Sequence, residues 1–291
     1  MRKSFAAIAL CLVSSWCLGQ ATLEELAELP NRKFYKDVYY DTSFGDDLIR
    51  LLNKRRMRIE DLPELKKVGL LSVFIRDDAY RKGRRGGVTF NHGAEENQIV
   101  SRIMDASYEE IRKALAAVDM ELVSAEEYLN TEDKEREYRV FNFNYARIPE
   151  AKSFGEFFIR NEEAKGSPKG YKPIYATYNN GVDESVVNPV GALASYLELD
   201  ALVTIEILTK TTSKSILLEA ITVVIHGAHP TRPDEGMFIG VGRYAPFRQV
   251  AFVEIADDKI KRDRYDGFAT IFSRLVTGLG EMARDEILSI E

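Results

Sequence analysis

The run GALASYLELDALVTIEILTKTTSKSILLEAITVVIH, residues 191–226, decides the fold. Leu193, Tyr196, Leu197 and Leu199 recur at helical spacing and give the segment one apolar face. Asp200 ends that pattern. Residues 201–208 then have high strand propensity, and from Leu202 onward neither alternate face is wholly polar, which predicts a strand covered on both sides. Residues 210–214 form a polar break of hairpin length, and residues 216–225 predict a second strand through Val223, Val224 and Ile225. A helix that feeds a buried strand and then a hairpin belongs to the α/β class, here with an α+β-like mixed sheet covered by helices.

Working outward, strands are predicted near residues 68–75, 120–123, 237–242 and 250–255, with helices near 95–118 and 266–287. Ser107 followed by Glu110 matches a capping box, which would divide the long helical pattern into two consecutive helices. Gly278 and Gly280 weaken the last helix but allow close packing against the sheet. Residues 257–266 read as a charged connector. Residues 22–29 predict a short amphipathic helix stopped by Pro30. Residues 33–42, rich in tyrosine, predict an edge strand or extended arm, and residues 46–54 another short helix.

Residues 1–19 have the composition of a secretory leader. Arg2 and Lys3 make a basic start, residues 5–16 an apolar stretch too short to span a bilayer, and cleavage is expected after Gly19. Bulky Trp16 before Cys17 argues against lipidation. Both cysteines, Cys11 and Cys17, lie in this segment, so the mature chain is expected to carry no thiol and no disulfide. The chain has 46 acidic against 40 basic residues, a formal net charge of −6, and loses two more bases with the leader. That balance argues against nucleic-acid partners, and no later apolar run has the length of a membrane-spanning helix. The expected organisation is a leader over 1–19, an N-terminal arm over 20–66, and an α/β domain over 67–291. The expected location is the periplasm or the extracellular space.

An aromatic-rich insertion is expected at about residues 132–188. Phe141, Phe143 and Tyr145 alternate with polar residues, which predicts a hairpin or an irregular aromatic surface. The segment reads either as a local core under a long loop or as a partner-binding patch, since aromatic side chains give large contact area at low entropic cost. With Tyr244, Phe247 and Arg248 from the 243–249 loop, these residues make the candidate binding surface.

Enzymatic chemistry has thin support. The histidines are His92, His226 and His229. Two imidazoles and a carboxylate can hold zinc and leave a position for water, so His226, His229 and Asp234 form the candidate metal set for a hydrolase reading. Neither an HExxH spacing nor a GxSxG elbow is present. The basic, glycine-rich stretch at residues 76–87 matches neither phosphate-loop spacing and reads as a solvated loop. No cofactor is expected.

The order of elements and the passage LELDALVTI, residues 197–205, resemble an α/β domain of the bacterial envelope. That domain is shared by the curli-secretion channel lipoproteins, the TolB amino-terminal domain and the penicillin-binding-protein activator lipoproteins. Its "large-small-Asp-Ala, then strand" passage delivers a helix into the sheet. The resemblance covers about two-thirds of the mature chain and implies assembly and protein contact, with no catalytic residues. The insertion lacks two pairs of ten-residue alternating strands of the kind membrane hairpins use. The expected function is therefore non-catalytic binding of an envelope protein, or self-association. A metal-assisted hydrolase and an oligomeric secretion-pore subunit are the alternatives.

Overall fold

A computed structural model of the chain describes residues 21–41, 65–77, 92–145, 166–171, 174, 189–212, 214–228, 234, 236–247, 250–256 and 259–289. Its centre is β4, Ala201–Thr211, which runs parallel to β2, Lys67–Asp77, and antiparallel to β5, Ser215–Ala228. Beyond β2 lies β3, Glu121–Val123, again parallel. Beyond β5 come β6, Gly236–Tyr244, and β1, Val38–Asp41, giving the order β1-β6-β5-β4-β2-β3. The first half of β5 instead pairs with β7, Val250–Ala256, whose other side takes β8, Lys259–Asp263. This is a mixed sheet of the α/β class, as the sequence predicts.

The burial of β4 on both faces is why its sequence does not alternate. On one face Val203, Ile205 and Ile207 share a core with α3, His92–Ala116, and α7, Phe268–Ser289. Ile103, Ile111, Phe272, Leu275 and Leu279 fill it. On the other face Leu202 meets Leu193 and Leu197 around α6, Pro189–Tyr196, and Tyr138 of α5, Glu132–Tyr145. Each such side chain, fully buried, contributes about 1.5–3 kcal/mol. The second face also carries charge. Glu206, almost wholly buried, pairs with Arg76 at 2.8 Å, one strand away.

Asp200 explains how α6 hands the chain to the sheet. The turn passes through Glu198 in the left-handed region, φ 60°, and Leu199 N–H donates to Ala194 O at 2.9 Å. Asp200 then accepts the backbone N–H groups of Lys66 and Lys67 at 2.9 and 2.6 Å, while its own N–H donates to Lys67 O. One carboxylate thus aligns the starts of β2 and β4, fixing the parallel register.

Several expectations change. Residues 132–145 form α5, not a hairpin. Tyr138, Phe141 and Asn142 stand at i, i+3 and i+4 and turn one face inward, so the helical period overrides the alternation at 141, 143 and 145. Helix α3 is continuous through Ser107, which is 1% exposed and caps nothing. The charged connector at 257–266 contains β8.

The N-terminal segment joins the main core. Helix α1, Leu23–Ala27, starts at a capping box between Thr22 and Glu25, and α2 spans Asn31–Phe34. Leu23, Leu26 and Phe34 are buried in the same cluster as α7. The close packing expected of Gly278 is against β1: a methyl group there would overlap the Tyr40 hydroxyl. The segment predicted as a helix at 46–54, and the basic loop beyond Asp77, lie outside the described residues.

Candidate functional site: a cleft at the short edge of the sheet

Strand β3 covers only part of its neighbour. It pairs with Lys67, Val68 and Gly69 and ends because Ser124 opens a new helix. That helix, α4 (Ala125–Tyr128), begins with a capping box. Ser124 Oγ accepts the Glu127 N–H at 3.3 Å, and Glu127 returns a carboxylate to the Ser124 N–H at 2.8 Å. Strand β2 continues for eight more residues. Its edge is next met by a tight turn, where Val73 N–H donates to Gly166 O at 2.6 Å. Glycine is needed there, since a Cβ would stand 2.6 Å from Val73 O. Between the end of β3 and this turn, beside α3, the sheet edge leaves a cleft of about 820 Å³.

Its floor is apolar. Met104 and Tyr128, both 3% exposed, lie deep, and Leu70 and Val123 are half-buried beside them. The Tyr128 hydroxyl donates to Leu70 O at 2.9 Å, and burial raises its pKa well above the ordinary value, so it stays neutral. The rim is acidic. Asp105 and Glu109 of α3 and Glu126 of α4 are exposed around it, with Tyr108 half-buried between the helices. Burial raises the Tyr108 pKa, and the charges of Glu126, Glu109 and Glu127 raise it further. The acids therefore set a negative potential at the mouth.

The opposite wall is the 3-10 turn Pro168–Gly170. Its cation is already engaged. Lys169 Nζ donates to Leu129 O at 2.8 Å and to Glu135 Oε2 at 2.9 Å, and Tyr171 donates to the other oxygen of Glu135 at 3.2 Å. Glu127 is likewise committed to its cap, and its pKa is lowered by the Ser124 backbone N–H. Glu109 shares its charge with Arg112 at 2.8 Å, whereas Glu126 makes no ion pair among the described residues. The mouth thus sets exposed carboxylates above an apolar floor.

Of the sequence-derived binding residues, Phe141, Tyr244 and Phe247 have described side chains. Phe141 is half-buried against the second core. The side chains of Phe143 and Tyr145, at the end of α5, lie outside the described residues, as does Arg248. Tyr244 is 0% exposed, stacked on Phe34 at 4.4 Å between ring centres, with its pKa pushed up to about 12 by burial. It belongs to the first core, because β6 turns it towards α7. Phe247, by contrast, is 93% exposed. Its loop is held by Asp37, which accepts the Phe247 N–H at 3.3 Å through its carboxylate and the Ala245 N–H at 2.9 Å through its backbone carbonyl.

For the metal set, His226 is 2% exposed inside the sheet, opposite Leu202, and burial lowers its pKa to about 4. Asp234 is exposed in a turn, and His229 lies outside the described residues. Among the described residues no group of three His, Cys, Asp or Glu side chains is arranged to hold a metal ion. No motif or spacing in the sequence singles out the cleft acids, Asp105, Glu109 and Glu126. The signal that could have located the cleft is a three-residue strand cut short by a cap. Comparison with protein-family models, curated proteins and solved structures found no match for the chain.

Proposed function

We infer that the chain is a secreted or periplasmic, non-catalytic protein that binds another component of the bacterial cell envelope. The observation that carries this reading is the cleft beside β3, whose buried apolar floor and exposed acidic rim suit it to hold a polypeptide without transforming it. The leader-like residues 1–19 and the resemblance of residues 197–205 to envelope assembly domains support the location. Among the described residues no helix is long and apolar enough to cross a membrane.

Two variants separate the candidate surfaces in one experiment. Ala125→Arg fills the cleft mouth from the start of α4, and Phe247→Ala removes the exposed ring at the opposite edge. In a pull-down from envelope extract with residues 20–291, one protein captured by wild type and by Phe247→Ala, and lost from Ala125→Arg, is the expected result. Capture of no specific partner by wild type would overturn the reading. N-terminal sequencing of the exported protein is expected to begin at Gln20; a retained leader would remove the support for export.

A further inference from the structure

We propose that the β1 edge of the sheet docks on an anionic lipid surface, with the Phe247 ring entering the headgroup layer and neighbouring bases meeting lipid phosphates. This surface is separate from the cleft, which lies at the other edge. Phe247 is 93% exposed, more than any other large apolar side chain among the described residues. Its position is fixed by the fold. Asp37 accepts the Phe247 N–H through its carboxylate and the Ala245 N–H through its backbone carbonyl, so the turn is tied at two points to the start of β1. Tyr39 on β1 and Tyr35 just before it are exposed as well. Tyrosine, with an apolar ring and a polar tip, suits the boundary between hydrocarbon and water.

Charge complementarity selects an anionic surface. Arg32, Lys33 and Lys36 are exposed in and just after α2, and Arg243 is exposed on β6 directly across from Tyr39. None of the four makes an ion pair among the described residues. The carboxylate between Lys36 and Phe247, that of Asp37, is engaged by a backbone N–H. The acids of α1, Glu24, Glu25 and Glu28, precede α2 in the chain, and Glu25 is turned back onto the Thr22 cap. The whole chain carries a formal net charge of −6, so an anionic membrane repels the molecule in general and admits this edge in preference. The same balance orients the docking.

The course of the chain supplies a second reason, which rests on the export reading above. Ala21, the first described residue, is buried and pairs in parallel with Val250, three residues beyond Phe247. The leader-like residues 1–19 therefore join the fold beside this turn. An apolar leader lies in the bilayer during export, and a fold completed there presents Phe247 and its neighbouring bases to that bilayer. Attachment through one ring and a few bases is peripheral and reversible.

The test sediments the mature chain with vesicles of phosphatidylcholine mixed with phosphatidylglycerol, and with vesicles of phosphatidylcholine alone. Binding to the mixed vesicles only, lost in about 0.5 M salt, is the expected result. Phe247→Ala should weaken that binding about tenfold. Lys33→Gln/Lys36→Gln should weaken it at least as much, since each base near an anionic surface adds attraction. Both variants alter exposed side chains, and circular dichroism checks that they fold. Glu28→Gln should not weaken binding, and Ala125→Arg, in the cleft, should leave it unchanged. Equal sedimentation with neutral vesicles, no sedimentation at all, or undiminished binding by Phe247→Ala would overturn the proposal. Loss of the captured partner by Phe247→Ala in the pull-down, without vesicle binding, would assign the edge to a protein and reject the lipid. A pull-down that captures nothing, beside vesicle binding that follows Phe247, would reject the cleft reading and support this one.

Discussion

The two ends of the sheet are both closed by short strands, β1 with four residues and β3 with three, yet they are finished in opposite ways. At the β1 end the described residues pack closely on one another. Phe34 is fully buried, stacked on Tyr244 and covered by the Arg274 guanidinium at 3.8 Å from its ring centre. Arg274 also donates to Ala27 O, Leu29 O and Asn31 Oδ1, tying the N-terminal helices to α7. Tyr40 fits the notch at Gly278. At the β3 end pairing stops at Gly69 while β2 continues, and a turn meets β2 at Val73, four residues further on, as the far wall of a cleft rimmed by carboxylates. The lesson is that one edge is built for cohesion and the other keeps an opening. A protein that protects both edges from pairing needs charge or cover at each, and here the acidic rim supplies the charge where the described residues give no cover.

Substitutions at the β1 end should therefore cost stability, and those at the β3 end should cost little. The largest effect is expected from Phe34→Ala, which empties the stack between Tyr244 and Arg274 and should lower unfolding free energy by about 3–5 kcal/mol. Denaturant titration measures it; a loss near zero would show the β1 end to be loosely attached. Gly278→Ala should cost about 2 kcal/mol by overpacking against Tyr40, and nothing further in a Tyr40→Ala background. Equal costs in both backgrounds would remove the notch.

At the β3 end Ser124→Ala removes one capping hydrogen bond and should cost about 1 kcal/mol. Thermal unfolding of the two proteins side by side gives the difference. The smallest effect is a pH dependence. Glu127, whose folded pKa lies below its ordinary value, contributes stability that is present above the ordinary carboxylate range. The contribution fades as pH falls through the lowered value. Wild type should exceed Glu127→Gln in stability at neutral pH and converge with it in acid; a gap that widens in acid would contradict the cap.

The contrast between the edges also marks what the sequence makes legible. The central strands are readable because β4 carries apolar residues on both faces, and α3 and α7 because their stripes repeat at helical spacing over long runs. Helix α5 was misread because aromatic and polar residues alternate at 141–145 while its buried face follows Tyr138, Phe141 and Asn142. Strand β8 was hidden by its charges, which suit an edge strand as well as a loop. Of the cleft, only the short strand cut off by a cap leaves a trace in the sequence. Its acids come from α3 and α4, its floor from β2 and β3, and its far wall from a turn more than forty residues away. Local pattern records none of those distances. Tyr244 and Phe247, three residues apart, show the same limit: one is wholly buried and the other almost wholly exposed.

Amide hydrogen exchange of the mature chain, with and without the envelope protein captured in the pull-down, compares the two edges in a single measurement. The bound partner should slow exchange around residues 104–109, 123–128 and 166–170 and leave residues 38–41 and 244–247 unchanged. Protection at the β1 end, or protection nowhere, would contradict the assignment of binding to the cleft.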